Sequence, residues 1–152
     1  MDATVFLTVL SGVVTYVVGQ IVVKLLIEPV QETKKTIGQI SHSLIEHAAV
    51  FQNPGIPSED AMRQTSQHLR KLSSQLNAHL YLVPAYKLTA KVFLLPDREK
   101  LIAAAGGLMG LSNSVYRNSE SVYKHNAKRV ELVCDSLSIY LPESERWPKE
   151  EP

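Results

Sequence analysis

The chain has 152 residues, and its 16 Lys or Arg against 15 Asp or Glu leave a formal net charge of +1. A balance this close to zero argues against a nucleic-acid partner, because general nucleic-acid binders are strongly basic. The length is typical of one domain. The single cysteine, Cys134, can form no disulfide within the chain, which fits a reducing compartment.

An uncharged apolar run extends from Ala3 to Val23. A bilayer core of about 30 Å requires roughly 20 mostly apolar helical residues, and this run supplies them. The alternatives are a buried helix of a soluble protein, a cleaved signal peptide and an interfacial helix. However, the run is apolar on every face, no basic residue precedes it, and it has no charged face. Residues 1–28 are therefore predicted to form a transmembrane anchor.

Lysines follow the apolar run closely, at Lys24, Lys34 and Lys35. The positive-inside rule then places the N-terminus outside and the rest of the chain in the cytoplasm. The sequence thus predicts a single-pass protein of the inner or plasma membrane, with the lipid bilayer as its first partner. Residues 29–141 are expected to form an all-α cytosolic domain, a bundle of four to five helices.

Small residues recur at every fourth position of the anchor, in two series: Thr4, Thr8 and Gly12, and Ser11, Thr15 and Gly19. Such spacing allows two helix backbones to approach closely in a membrane. Gly12, Thr15 and Gly19 are therefore candidates for helix association, with a second copy or with another membrane protein. The amide of Gln20 either contacts a polar partner, such as the same residue of a neighbouring copy, or lies in the interfacial zone.

Proline and glycine divide the chain that follows into helices. Glu28-Pro29 predicts a kink or a short break, after which an amphipathic helix extends to about Gln52. The sequence from Asn53 to Pro57 cannot continue a helix. Ser58 is then an N-cap for a helix that extends from Glu59 to about Val83. These two helices, joined by a short loop, should form an antiparallel hairpin.

Residues 85–95 indicate a short helix rather than a strand, because apolar and polar residues do not alternate cleanly there. Its apolar side chains share one face: Leu88, Val92 and Leu95. Basic residues on and after this segment are candidates for contact with a small anion: Lys87, Lys91, Arg98 and Lys100. They support an alternative function, in which the cytosolic bundle senses an anionic ligand and the anchors assemble in the membrane.

A further helix is predicted from Asp97 through the apolar run Leu101–Leu111, and a last one from about Ser119 to Tyr140. The run contains three glycines, which are Gly106, Gly107 and Gly110. They permit a close helix crossing or a local break, whereas a phosphate-binding loop would need the P-loop lysine that is missing here. Residues 142–152 are charged and contain prolines, so a disordered tail is expected, with Trp147 as its one large apolar residue.

Catalytic signatures are lacking in the sequence. The five histidines, at positions 42, 47, 68, 79 and 125, are expected at the solvated surface; only His42 and Glu46 are spaced to share a metal, and no third ligand is evident. No nucleophile elbow, Walker motif or dinucleotide fingerprint is present. The sequence therefore favours a protein that is not an enzyme and that has no cofactor and no metal.

The order of features resembles that of small, uncharacterised single-pass membrane proteins predicted in bacteria. The residues that carry this resemblance are Gly19-Gln20, Lys24, Glu28-Pro29, Ile37-Gly38 and Gly110 to Ser114. The resemblance implies an anchor followed by a helical cytosolic domain, and it implies no activity or site. Taken together, the preferred function is a membrane-tethered interaction or scaffold module, with self-association through the anchor.

Overall fold

The computed structural model describes residues 2–117 and 119–142, and within these ranges it is all-helical and contains no strand. The elements, in chain order, are α1 (Ala3–Val22), a π-helical turn (Val23–Ile27), α2 (Glu28–Glu46), α3 (Ala48–Gln52), α4 (Glu59–Leu82), α5 (Tyr86–Phe93), α6 (Arg98–Ser114) and α7 (Glu120–Leu137). The all-α prediction is confirmed. The predicted tail beyond Pro142, with Trp147, lies outside the described residues.

No break separates α1 from α2, because a continuous helix extends from Ala3 to Glu46. Pro29 lies in the first turn of α2. In a regular α-helix its ring would clash with the carbonyl four residues earlier, which belongs to Leu25. Leu25 lies in the π-helical turn, whose wider winding accommodates the proline. The predicted break at Pro29 is thus wrong, and a change of helical winding takes its place.

The helices α2 and α4 pack antiparallel, as the hairpin prediction requires. Three contacts connect them: Thr36 Oγ1 to His79 Nε2 at 2.9 Å, Ser43 Oγ to His68 Nε2 at 2.8 Å, and His47 Nδ1 to Thr65 Oγ1 at 3.3 Å. Residue numbers rise along α2 as they fall along α4. The predicted cap of α4 is also present, because the Ser58 hydroxyl accepts a hydrogen bond from the Ala61 amide at 3.3 Å.

Serines bring α4 and α6 together. The Ser66 hydroxyl donates to the Ser112 carbonyl, and the Ser112 hydroxyl donates to the Ser66 carbonyl, both at 3.0 Å. Further along, Ser73 donates to the carbonyl of Ala105 at 2.8 Å. All three serines are buried. Because each hydroxyl has a backbone acceptor, these small polar side chains lie in the interior without an unsatisfied group.

One apolar core lies between α2, α4, α6 and α7. Its largest fully buried side chains are Ile40, Phe51, Leu69, Leu72, Leu76, Leu101, Leu108, Leu111 and Val133. The buried side chain of Asn126 connects α7 to α3, because its Nδ2 donates to the Phe51 carbonyl at 3.1 Å. The core begins at Ile37 and Ile40, about three turns into α2, and does not include α1.

The glycine-rich part of α6 is a helix–helix contact. A Cβ atom on Gly107 would lie 2.7 Å from Val133 Cγ2 and 3.4 Å from the Arg129 carbonyl oxygen of α7. The predicted close crossing is thus confirmed at Gly107. The alternatives of a local break and of a phosphate-binding loop are not, because α6 is continuous from Arg98 to Ser114.

The short helix α5 is oriented differently from the prediction. Leu88 and Val92 are exposed, whereas Thr89 and Ala90 are buried. Only Leu95, of the predicted apolar face, is buried. The physical reason lies at the helix ends, where Ala85 (φ 44°) and Leu94 (φ 54°) adopt the left-handed conformation and redirect the chain.

Two alanine substitutions in α6 separate helix propensity from packing. Gly106→Ala should raise the free energy of unfolding by up to about 1 kcal/mol, because alanine favours the helix and, apart from the adjoining part of α6 itself, no described atom lies within 4 Å of the new Cβ. Gly107→Ala has the same gain in helix propensity, but its new methyl group must displace Val133. Its free energy of unfolding should therefore be about 1–3 kcal/mol lower than that of Gly106→Ala. Urea unfolding in detergent, followed by circular dichroism, measures both. Equal stability of the two variants would contradict the close crossing.

Candidate functional site

The candidate residues for helix association all lie on α1, which no other part of the described chain covers. Its 20 residues lie within the described range 2–117, and none is buried. Apart from the neighbouring residues and backbone of α1 itself, no described atom lies within 4 Å of the position that a Cβ would take on Gly12 or Gly19. The helix that contains α1 is long and apolar enough to cross a membrane, judged by length and composition.

Small residues occupy a single strip of the α1 surface. At about 100° per residue, six of them fall within an arc of about 100° that contains no large side chain before Val22. These residues, here called the small-residue arc, are Thr4, Thr8, Ser11, Gly12, Thr15 and Gly19. Thr8 and Ser11 donate their hydroxyl protons to the carbonyls of Thr4 and Thr8, both at 2.9 Å. The surface along the small-residue arc therefore carries no large side chain. The hydroxyls of Thr8 and Ser11 are already hydrogen-bonded within the helix.

Gln20 does not share the small-residue arc. The helical geometry places it about 80° from Gly12 and about 100° from Gly19, on the side of Tyr16. A helix packed against the arc would meet the Gln20 amide only at the edge of the contact. The expected polar contact of Gln20 stays a prediction.

The four basic residues proposed for anion contact lie on two separate elements. Lys87 and Lys91 are exposed on α5, whereas Arg98 and Lys100 are exposed in the first turn of α6. Of the four, Lys100 lines a cleft of about 430 Å³, which it shares with Lys34, with Asp97 and with the end of α7. Sequence spacing could not indicate Lys34, because α2 reaches this cleft only through the tertiary fold. Asp97 adds a negative charge, so anion binding stays a prediction.

Three histidines gather between α2 and α4. The expected pair is present, with His42 Nε2 3.4 Å from Glu46 Oε2, and His47 Nε2 lies 3.7 Å from the same oxygen. The His68 ring meets the His47 ring edge-on at 5.6 Å. Among residues 2–117 and 119–142, however, no group of three or more His, Cys, Asp or Glu side chains could hold a metal ion.

Ser43 and His68 form a hydrogen-bonded pair across the contact of α2 with α4. The Ser43 hydroxyl donates to the Gln39 carbonyl at 2.8 Å, and its oxygen lies 2.8 Å from His68 Nε2. When His68 carries its proton on Nε2, it donates to the Ser43 oxygen, which is opposite to the direction that general-base activation of a serine requires.

His79 is only 7% exposed, so its predicted position at the solvated surface is wrong. It follows Leu76 by three residues and precedes Val83 by four, a spacing that places it on the buried face of α4. Its Nε2 contacts Thr36 Oγ1, and its Nδ1 is buried without a hydrogen-bond partner in the described structure. Burial lowers the pKa of His79, and the nearby Glu32 carboxylate opposes that shift only in part.

His47 shows the same direction of shift. Burial is the largest cause that lowers the pKa of His47, the Glu46 carboxylate opposes it, and the neighbouring His68 and His42 add to it. A charged imidazole at either position would require desolvation of its charge inside the α2–α4 contact. Both histidines are therefore neutral in the folded domain at pH 7.

The domain should lose stability as the pH falls. Because the pKa of His79 is lower in the folded than in the unfolded state, the unfolded state binds the proton first. The contribution of the neutral His79 to the free energy of unfolding is fully present above the unfolded pKa of about 6.5. It declines as the pH falls from that value to the folded pKa. Urea midpoints between about pH 5 and 8 should thus fall toward acid. His79→Gln should flatten this slope. The control His125→Gln, at an exposed position on α7 that shifts the pKa of neither His47 nor His79, should not. Equal slopes for both variants and the parent would contradict the assignment.

No protein-family model, curated protein or solved structure matches this chain. No known relative therefore assigns a role to the small-residue arc, the basic residues or the histidines.

Proposed function

We propose that this protein is a non-enzymatic, membrane-tethered helical module for protein interaction or scaffolding. In this proposal α1 crosses the bilayer, and residues 29–141 form the cytosolic helical bundle. One observation supports it: α1 is apolar and has no residue buried by the described part of the chain, yet it continues without a break into α2, whose inner face is buried in the core.

The energetics of α1 support this proposal. Apolar surface in water costs about 25 cal/mol per Å², so a helix of 20 uncovered, mostly apolar residues would be strongly unfavourable in water. A bilayer removes that cost, and the helical hydrogen bonds satisfy the backbone within it. The lysines that follow α1 favour a cytoplasmic location for α2.

The small-residue arc supports self-association as the second part of the proposal. Small residues on one side of a spanning helix allow backbones to pack closely, and this packing drives helix association in lipid. Because α1 and α2 are one continuous helix, association of two anchors would bring two cytosolic domains side by side. A paired platform of this kind is suited to an adaptor or scaffold.

The tether is tested by alkaline carbonate extraction of membranes that contain the full-length protein. We expect the protein to stay in the pellet. Val13→Lys with Val17→Lys should release it, because each lysine at the centre of a spanning helix costs about 2.5–3.5 kcal/mol. Ile56→Lys with Leu132→Lys is the matched control, which adds the same charge at exposed apolar positions outside α1 and should leave the protein in the pellet. Extraction of the parent protein would contradict the proposal.

Self-association is tested by energy transfer between labelled copies in vesicles. Gly12→Leu with Gly19→Leu places bulk on the small-residue arc and should weaken association by about tenfold, or about 1.4 kcal/mol. The control pair, Val13→Leu with Val17→Leu, adds bulk on the opposite face and should leave association unchanged. If the two pairs behave alike, the arc is not the association surface.

A further inference from the structure

The corner between α4 and α5 exposes an unusual set of large apolar side chains. This set, here called the α5 patch, consists of Tyr81, Leu82, Leu88, Val92 and Leu94. Leu94 is 88% exposed and Tyr81 is 83% exposed. Leu94 also adopts the left-handed conformation, which residues other than glycine rarely do. The described domain therefore holds apolar groups outward at this corner and gives them no cover.

Contacts on the buried side of α5 hold the helix so that Leu88 and Val92 face away from the domain. Tyr86 donates its hydroxyl proton to the Pro96 carbonyl at 2.7 Å, and burial, with a smaller effect of Asp97, raises the pKa of Tyr86 to about 12. The hydrogen bond thus persists at all physiological pH values. A small apolar cluster holds the same side of α5: Val30, Val83, Ala90 and Leu95. With this side bound, Leu88 and Val92 necessarily point away from the domain.

The α5 patch lies at the end of the domain from which α1 leaves. Val30, which packs in the same cluster as Val83 and Ala90, is only three residues beyond Ile27, the last residue of the π-helical turn. Three residues of helix span about 4.5 Å. The antiparallel register agrees, because Thr36 of α2 contacts His79 near the end of α4. The exposed corner is therefore level with the end of the apolar anchor.

The chemistry of the patch matches a membrane surface. On α5, Lys87 and Lys91 lie about 100° around the helix from Leu88 and Val92. Apolar residues beside flanking lysines are typical of helices that lie in the bilayer interface, where lysine stems extend to the headgroups. Tyr81 adds an aromatic side chain of the kind enriched at that depth. A contact between two copies of the patch would instead bring lysines of like charge together.

We infer that the α5 patch is a second membrane contact, which inserts into the headgroup region of the bilayer that α1 crosses. Lys87 and Lys91 would then contact anionic headgroups. The inference rests on the proposed tether, because only an anchor at α1 places this corner at a bilayer. Two attachment points would hold the domain in one orientation on the membrane, whereas attachment through α1 alone would leave it free to rotate about α1.

The test measures which residues touch lipid. In a Cys134→Ala background, single cysteines replace Leu88, Leu94, Ile56 or Val14 in the full chain, and each carries an NBD fluorophore. The protein is reconstituted in vesicles of phosphatidylcholine and phosphatidylglycerol, with and without lipid that carries a doxyl quencher near the headgroup. Ile56 is an exposed control in the loop at the far end of α4. Val14 reports on the anchor.

We expect the doxyl lipid to reduce emission about two-fold or more at Leu88 and Leu94, and to leave Ile56 unchanged. Adding Lys87→Glu with Lys91→Glu should restore the emission of the fluorophore at position 88 in the presence of the doxyl lipid. If Val14 is buried in lipid and Leu88 and Leu94 behave like Ile56, the inference is overturned while the tether stands. If Val14 is freely accessible to aqueous iodide, the tether itself fails. Shielding of Leu88 from iodide without quenching by doxyl lipid would show that protein, not lipid, covers the patch, and this result also overturns the inference.

Discussion

The architecture depends on a helix, α1, that no other described part of the chain covers. Every residue of α1 is exposed, and most of its side chains are apolar. The same helix becomes amphipathic in α2, where Ile40 and Leu44 are buried in the core. The helix changes from fully exposed to packed against the domain at the π-helical turn before Pro29. One continuous helix therefore has an exposed half and a half that packs in the domain. The proposed tether, the proposed pairing of domains and the proposed contact of α5 with lipid all follow from that arrangement.

Small and polar side chains determine how the domain is assembled beside this helix. The reciprocal hydrogen bonds of Ser66 and Ser112 join α4 to α6, and the close approach at Gly107 joins α6 to α7. The contact between Thr36 and His79 sets the register of α2 against α4. That register brings the end of α4 to the beginning of α2, and it thereby positions α5 beside the beginning of α2.

The bounds of α4 could be predicted from the sequence because the N-cap Ser58 and Pro84 act locally, whereas Pro29 produces no break between α1 and α2. The small-residue arc could be predicted because spacing along one helix determines it. Burial of Ser66 could not be predicted from hydropathy, because it depends on a partner helix distant in the chain, whereas the spacing of His79 from Leu76 and Val83 does indicate the buried face of α4. The orientation of α5 depends on left-handed backbone at Ala85 and Leu94, which neither residue type indicates. Lys34 and Lys100 likewise line the same cleft only because the tertiary fold brings α2 and α6 together there.

The most direct test of the central claim is to determine on which side of the membrane each end of α1 lies. A membrane-impermeant thiol reagent is applied to intact cells that express single-cysteine variants in a Cys134→Ala background. If α1 crosses the bilayer with its N-terminus outside, Asp2→Cys is labelled in intact cells, and Ile56→Cys is labelled only after permeabilisation. Labelling of both positions from the same side would contradict the account.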